Sequence, residues 1–180
     1  MNVRIKISYF LFLFLGLTGL TSTPAIAADS IFLCGDALEG ETLNPRYPGC
    51  IDVLAWSWGA TSPGGSGAAN FQTVSVTKNV DKSSPSIMLH LAKGEHIAKL
   101  ELFVDNCTSE CANSAYYKVI IENILISSVS LGESAGDDRP TENILLNYQK
   151  VQWCYSAVNP EGGLDAEVCN GWDLQKNAPL

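Results

Sequence analysis

The densest apolar run after the first 27 residues is IDVLAWSWG, at positions 51–59. Successive side chains of a β-strand point to opposite faces, so Leu54, Trp56 and Trp58 would share one face. The opposite face is also mostly apolar, with Ile51, Val53 and Ala55. Because both faces need cover, the run predicts a strand inside a barrel or between two layers.

The two tryptophans of this run admit two interpretations. Large aromatic side chains most often pack as apolar mass in a core, which is the expectation for Trp56 and Trp58. The alternative is that Trp58 stacks on a bound ligand.

Six other segments are predicted strands, at 30–34, 71–80, 97–105, 115–131, 141–155 and 168–174. The segments 71–80 and 97–105 alternate clearly, whereas 115–131 is apolar on both faces. Inward-facing positions are expected to include Val74, Val76, Val80, Ala98, Leu100, Leu102, Val104, Ile144, Leu146 and Tyr148. Segments rich in Gly, Pro, Asn or charge separate them, at 35–49, 106–114, 132–140 and 159–164.

One segment, 84–93, has the signals of a helix. Ser84 can cap it, Pro85 suits its first position, and Gly94 suits its end. Three apolar residues would share a face, at Ile87, Met88 and Leu91. A helix of about nine residues is not stable alone in water, so we expect it to dock on an open end of a barrel.

The segment 60–70 contains TSPGGSG and has no hydrophobic period, so it predicts a flexible arm that projects from the body. It lacks the Gly-Lys-Ser/Thr ending and the following helix of a phosphate-binding loop. The chain has 180 residues, 46% hydrophobic and 17% charged, and shows no repeat and no long linker. It therefore predicts one all-β domain over 28–180, a barrel or sandwich of antiparallel strands with one short α-helix.

Residues 1–27 have the pattern of a cleavable signal peptide. Arg4 and Lys6 form a basic start, positions 8–20 are mostly Leu and Phe, and AIA at 25–27 offers a cleavage site before Ala28. The apolar run is shorter than the roughly 20 residues that span a bilayer. We expect a mature protein without a membrane segment, located in the periplasm or secreted.

The charge of the chain argues against anionic partners. Its formal charge is −8, and removal of residues 1–27, which hold two basic and no acidic residues, leaves 9 basic against 19 acidic residues. An acidic surface repels phosphate backbones and anionic lipids, so nucleic acid and membrane surfaces are not expected partners.

All six cysteines follow the predicted cleavage point, at 34, 50, 107, 111, 154 and 169. An even number in an exported chain indicates disulfides, although six cysteines allow about 15 pairings. We expect sequence neighbours to pair, as Cys34 with Cys50, Cys107 with Cys111, and Cys154 with Cys169. Zinc is the alternative, but the spacings fit no common finger.

No catalytic set is evident in the sequence. The motif His-Glu-x-x-His is absent. His90 on the predicted helix and His96 next to Glu95 are expected to be capped or packed residues rather than bases. Asp137, Asp138 and Arg139 suit a solvated turn. The expectation is a protein without catalysis, metal or cofactor.

Several segments in the same order resemble the Hcp family, the haemolysin-coregulated proteins of type VI secretion. They are IDVLAWSWG at 51–59, VTK at 76–78, VDKSSP at 80–85, GEHI at 94–97, ISSVS at 126–130, DRPTEN at 138–143, LN at 146–147 and GWD at 171–173. The resemblance runs from about residue 31 to 177, and it depends on several motifs together rather than on one.

The resemblance implies an Hcp-like antiparallel β-barrel of two sheets and a hexameric ring with a wide pore. It also implies a structural rather than a catalytic role, with other copies of the chain, type VI components and small effectors as partners. The segment 60–70 corresponds to the family's extended loop, which contacts neighbouring subunits. Contact candidates are Ser62, Gly64, Gly65 and Gly67 in this arm, and Pro85 and Met88 on the helix.

Two features set the chain apart from tube-forming members of the family. Those proteins assemble in the cytoplasm without a cleavable signal, and they lack this set of cysteines. The two departures agree with each other, because an exported chain can form disulfides in an oxidising space. A monomeric binding module that reuses the barrel is therefore the alternative function.

Overall fold

The structure is a computed structural model that describes residues 29–64, 69–106, 115–133, 138–160 and 163–180. Within these ranges the chain forms one helix and a series of mostly short strands, which we number in chain order. They are β1 (Ser30–Cys34), β2 (Ile51–Val53), β3 (Ala55–Ser57), β4 (Ala60–Thr61), β5 (Asn70–Phe71), β6 (Val74–Asn79), α1 (Ser84–Lys93), β7 (Ile97–Asp105), β8 (Tyr117–Gly132), β9 (Thr141–Asn147), β10 (Lys150–Tyr155), β11 (Val168–Asp173) and β12 (Ala178–Pro179).

The strands form two antiparallel sheets that share β8. One sheet has the order β12-β11-β10-β8-β7-β1-β2, and the other has β3-β6-β9-β8. The first half of β8 pairs with β7 and β10, whereas its second half, from Leu125, pairs with β9. Asn123, with a φ of 52°, lies between the halves. The predicted all-β fold with one helix is confirmed, although hydrogen bonds among the described residues do not close the sheets into a continuous cylinder.

The chain also crosses between the sheets at Leu54. Ile51 and Val53 of β2 are buried, but Leu54 is 53% exposed and its amide bonds to the carbonyl of Thr77 in β6. After this bend the inward positions change from odd to even numbers, so Trp56 packs against the core. The single alternation predicted for 51–59 was therefore wrong, because a strand that changes sheets also changes the phase of its pleat.

The helix α1 has the predicted bounds, but its N-terminal residue differs. Ser83, rather than Ser84, is the N-cap, and Pro85 lies in the first turn. At the other end Gly94 has a φ of 64°, and its amide contacts the carbonyls of the last turn. A left-handed φ favours glycine, which explains why the helix stops there. Ile87 is fully buried, whereas Met88, predicted on the same face, is 41% exposed.

Three other expectations need correction. Ala98 is exposed and Ile97 is buried instead, at the place where β7 passes the Asn123 bend of β8. The segment 141–155 is two strands, because the chain turns at Tyr148 and Gln149. The arm at 60–70 is not wholly irregular, since β4 and β5 pair at its base.

The core lies between the two sheets and beneath α1. Its largest fully buried apolar side chains are Leu33, Leu38, Ile51, Ile87, Ile97, Leu100, Ile124, Ile144 and Leu146. A second, smaller cluster forms on the outer face of β1 from Phe32, Tyr47 and Cys50. No helix in the described ranges has the length and apolar character needed to cross a bilayer.

Candidate functional site

A buried ion pair joins two of the segments that carry the family resemblance. Lys78 and Glu142 are register partners of β6 and β9, and their side chains face inward. Lys78 Nζ lies 2.6 Å from Glu142 Oε1, and the two side chains are 0% and 1% exposed. A charge without a partner would be costly at this depth, so each residue requires the other.

The start of α1 completes this network. Asp81 Oδ1 accepts a hydrogen bond from Lys78 Nζ at 2.8 Å and another from the amide of Ser83, also at 2.8 Å. The Ser84 hydroxyl contacts Lys78 Nζ at 3.2 Å and donates to Glu142 at 2.8 Å. Ser84 therefore fixes the strand-to-helix turn through these contacts instead of acting as the cap. The segments VTK, VDKSSP and DRPTEN thus meet at one buried site.

The electrostatics of the site favour an ionised Asp81. Burial alone would raise the pKa of the Asp81 carboxyl, but hydrogen bonds from Lys78 and Ser83, together with the lysine charge, bring that pKa below its ordinary value. The polar atoms of the network are engaged with one another and lie largely out of reach of solvent. The network can fix the geometry of β6, β9 and α1, which is a structural role.

Asn143, the residue after Glu142, links the outer faces of β6 and β9. Its side-chain amide donates to Ser75 Oγ at 2.9 Å and to Thr77 Oγ1 at 3.0 Å. The motif DRPTEN therefore stabilises β6 and β9 from both faces.

The loop 35–49 flanks this site on the surface. Lys82 Nζ lies 2.6 Å from Glu39 Oε1, and Arg139 Nη1 lies 3.4 Å from Glu41 Oε1. The Ser86 hydroxyl of α1 donates to the carbonyl of Ala37 at 3.3 Å. These contacts place the loop beside the first turn of α1, so the two form one continuous surface.

The described contact candidates are all at the surface. Ser62 and Gly64 are exposed on the arm, and Pro85 and Met88 are exposed on α1. Leu89 next to Met88 is also 52% exposed, so α1 presents two large apolar side chains outward. Gly65 and Gly67 lie outside the described residues.

Trp58 packs in an aromatic cluster. Its indole N–H donates to the Tyr148 hydroxyl, which donates in turn to the carbonyl of Gln72 at 2.9 Å. Its ring contacts those of Phe71 and Trp153, with centroid distances of 6.1 and 5.7 Å. Because both the ring and the N–H are engaged, the geometry favours the core interpretation over ligand stacking.

Among the described residues there are two disulfides, Cys34–Cys50 and Cys154–Cys169, which are two of the three pairs proposed from the sequence. Cys107 and Cys111 lie outside the described residues. Glu167 lies close to the Cys154 and Cys169 sulfurs, but sulfurs bonded to each other are not the thiolate ligands that zinc requires.

The remaining polar candidates are not brought together. His90 Nδ1 lies 3.7 Å from Glu95 Oε2 and has no hydrogen bond, while His96 is exposed. Asp138 and Arg139 are exposed on their turn, and Asp137 lies outside the described residues.

Sequence reasoning missed the buried charges. Lys78 occupies an inward position of β6, two residues after Val76, and a polar residue there was the available signal. Asp105, also fully buried, ends β7 and pairs with Arg46 at 3.0 Å and with the Tyr47 hydroxyl at 3.1 Å. The loop that supplies these partners has no periodicity, so no sequence pattern predicted this contact.

The comparisons with known proteins agree with this architecture. Residues 25–155 match the family described as "Type VI secretion system effector, Hcp". The chain is 36% identical to Protein hcp1 of Pseudomonas aeruginosa over 162 residues, which cover 84% of this chain and 98% of that protein.

Two solved structures are similar over most of the chain. One is a type six secretion system protein, with a TM-score of 0.76, 27% identity, and 85% and 100% of the two chains covered. The other is Hcp1 of Salmonella typhimurium, with a TM-score of 0.71, 26% identity, and 85% and 99% covered. On the sequence match and the shared fold, this chain belongs to the Hcp family of type VI secretion proteins.

Proposed function

We propose that the chain is an exported, non-enzymatic Hcp subunit that associates with copies of itself into a ring. The observation that carries this proposal is its likeness to Protein hcp1 over 98% of that protein's length. So long a match includes both sheets, the helix and the segments that meet around Lys78 and Glu142.

The surface supports self-association. Met88 and Leu89 are consecutive residues of α1 and are 41% and 52% exposed. Adjacent exposed apolar side chains on a rigid helix suit burial against another protein surface. The arm that leaves the body through β4 and β5 supplies a second extended contact. An arm rich in glycine gains order when a neighbouring subunit covers it.

Residues 1–27 and the cysteines support export. The N-terminal segment carries the features of a signal peptide, and Cys34–Cys50 and Cys154–Cys169 are disulfides. Disulfides persist in the periplasm and outside the cell, whereas cytosolic reductants oppose them. The chain would then act in or from the envelope. Its partners would be other copies, type VI components or small effectors, and it would require no cofactor.

The test is the assembly state of the exported protein. The full chain is expressed in a Gram-negative host and recovered from the periplasm, and its mass and N-terminus are determined. We expect an N-terminus at or near Ala28, a hexameric mass in light scattering, and annular particles in negative stain. A protein that stays monomeric at high concentration would overturn the ring proposal and favour an exported monomeric binding module.

A further inference from the structure

The loop 35–49 is closed at its base by the Cys34–Cys50 disulfide. Cys34 is the last residue of β1, and Cys50 directly precedes β2. The ladder between these strands has only three register pairs, from Ile31↔Val53 to Leu33↔Ile51. The disulfide therefore extends a short ladder at the point where a long irregular loop begins.

The other disulfide has a different setting. Cys154 and Cys169 are direct partners within the six-pair ladder of β10 and β11. Backbone hydrogen bonds on both sides of the pair hold these strands together without the sulfurs. The pairing of β1 with β2 therefore depends more on its disulfide than the pairing of β10 with β11 does.

The closed loop is anchored in the interior by Leu38 and Tyr47, which are 1% and 5% exposed. Its acidic edge makes weaker contacts, with Lys82 just before α1 and with Arg139 before β9. The Lys82–Glu39 side chains are 47% and 76% exposed, and those of Arg139 and Glu41 are 59% and 45% exposed. Exposed ion pairs of this kind contribute little to stability and are screened by salt. These ion pairs can form only when the loop is already ordered. Backbone packing of Gly40 against Cys50 holds the loop beside the disulfide.

An acidic cleft lies beside the disulfide. Cys34 and Cys50 line a cavity of ≈ 440 Å³ together with Asp36, Glu39 and Glu101. Carboxylates disfavour a nearby thiolate and repel anionic thiols, so a neutral dithiol should reduce this bond faster than glutathione does.

We propose that Cys34–Cys50 is a redox lock on self-association, an inference that rests on the proposed function. In the oxidised chain the loop 35–49 is fixed against α1, and the surface that carries Met88 is in its binding geometry. A dithiol breaks the S–S bond: it gives two electrons and two protons to Cys34 and Cys50 and is itself oxidised to a disulfide. Leu38 and Tyr47 still anchor the loop in the interior, but the part of the loop beside the sulfurs loses its covalent constraint. The chain then associates more strongly in oxidising compartments than in reducing ones.

The test compares two paired variants, Cys34→Ser/Cys50→Ser and Cys154→Ser/Cys169→Ser, with the wild type. Each is expressed as the full chain, purified from the periplasm and studied by sedimentation velocity over a range of concentrations. We expect the first variant to raise the dissociation constant by about tenfold or more, and the second to change it by less than about threefold. Near-ultraviolet circular dichroism of the tryptophans checks that each variant is folded.

A second measurement does not depend on the variants. Oxidised wild-type protein is reduced in place with dithiothreitol, and amide hydrogen exchange is followed. We expect faster exchange in the loop 35–49 and the first turn of α1, with β10 and β11 unchanged. Glutathione at the same thiol concentration should act more slowly.

The outcomes separate the two proposals. A wild-type chain that never associates overturns the proposed function and this inference with it. Association of the wild type that is equally strong in Cys34→Ser/Cys50→Ser, with exchange in the loop and α1 unaltered by reduction, overturns the redox lock alone.

Discussion

Lys78 and Glu142 contact each other across β6 and β9 with 2.6 Å between Nζ and Oε1, and both side chains are shielded from solvent. The pair lies directly below the turn into α1, where Asp81 adds a second carboxylate to the same ammonium group at 2.8 Å. Two negative groups and one positive group share a small volume from which water is excluded. Removal of the Lys78 ammonium would leave the two carboxylates without compensation, so this position should be among the most sensitive in the protein.

The first prediction concerns the substitution Lys78→Met, which keeps the length of the side chain and removes its charge. It leaves Glu142 and Asp81 facing each other in the interior, and we expect the free energy of unfolding to fall by about 3–5 kcal/mol. Urea denaturation followed by tryptophan fluorescence measures the change. The matched control is Lys99→Met, since Lys99 pairs with Glu101 at 2.9 Å but is 51% exposed. The control should differ little from the wild type, and equal losses in both variants would refute the role of burial.

The second prediction follows from the lowered pKa of the Asp81 carboxyl. Burial opposes ionisation, but the hydrogen bonds from Lys78 and Ser83 outweigh it and bring the pKa below 3.8. The folded state then binds fewer protons than the unfolded state, so the contribution of Asp81 is fully present above the ordinary pKa. This contribution is lost as the pH falls from the ordinary pKa of Asp81 through its lower pKa in the folded state.

The measurement is the free energy of unfolding of the wild type and of Asp81→Asn between about pH 7 and pH 2. The wild type should be the more stable at neutral pH, and the gap should narrow below about pH 4 as the wild-type carboxylate takes up its proton. A gap that stays constant across the range would show that the ionised carboxylate contributes nothing.

The third prediction concerns Gly40 in the loop 35–49. A Cβ added there would lie 2.1 Å from the carbonyl oxygen of Cys50, so the backbone itself would have to move. We expect Gly40→Ala to lower stability by about 1–3 kcal/mol and to increase hydrogen exchange in the loop. Gly132→Ala is the control, because no heavy atom lies within 4 Å of its added Cβ. If Gly40→Ala is as stable as the wild type, the close packing of the loop on Cys50 is not required.

Part of this fold could be predicted from local pattern. The alternation of Val74 and Val76 predicted β6, and Pro85 and Gly94 predicted both ends of α1, because these signals act within a few residues. The bend at Leu54 could not be predicted in the same way. A strand that changes sheets reverses its inward and outward positions, and this reversal depends on partners in β1 and β6 that are distant in sequence.

The site was less predictable than the fold. A lysine in an alternating strand normally points to water, and only the register of β6 against β9 shows that Lys78 meets Glu142. The family resemblance included both VTK at 76–78 and DRPTEN at 138–143, but it did not indicate that these two segments contact each other. The capping role assigned to Ser84 was wrong for a related reason, since Ser83 is the N-cap and the Ser84 hydroxyl bonds to Glu142, which lies 58 residues away.

The fourth prediction tests the arm. Gly64 has a φ of 82°, which residues with side chains rarely adopt, and a Cβ added there would meet no heavy atom of the described residues within 4 Å. Gly64→Val should therefore reshape the arm without disturbing the body of the domain. If the arm contacts a neighbouring subunit, Gly64→Val should weaken association while the urea midpoint stays unchanged. A bulky substitution of Gly65 should also weaken association. Gly132→Val, also in open space, controls for surface bulk, and unchanged assembly of Gly64→Val would argue against the arm.

The fifth prediction tests the outward face of α1. Ile87 anchors the helix in the core, so Met88→Asp should leave stability within about 0.5 kcal/mol of the wild type. At an interface the same change would place a carboxylate where an apolar side chain becomes buried, and we expect the dissociation constant of the assembly to rise by about tenfold or more. Leu131→Asp is the matched control, since Leu131 is 56% exposed at the far end of β8 and belongs neither to α1 nor to the arm. Sedimentation velocity on the three proteins distinguishes the cases: weakening only in Met88→Asp assigns the helix to the interface. An equal effect in both variants would mean that added negative charge, and not the position on α1, opposes association.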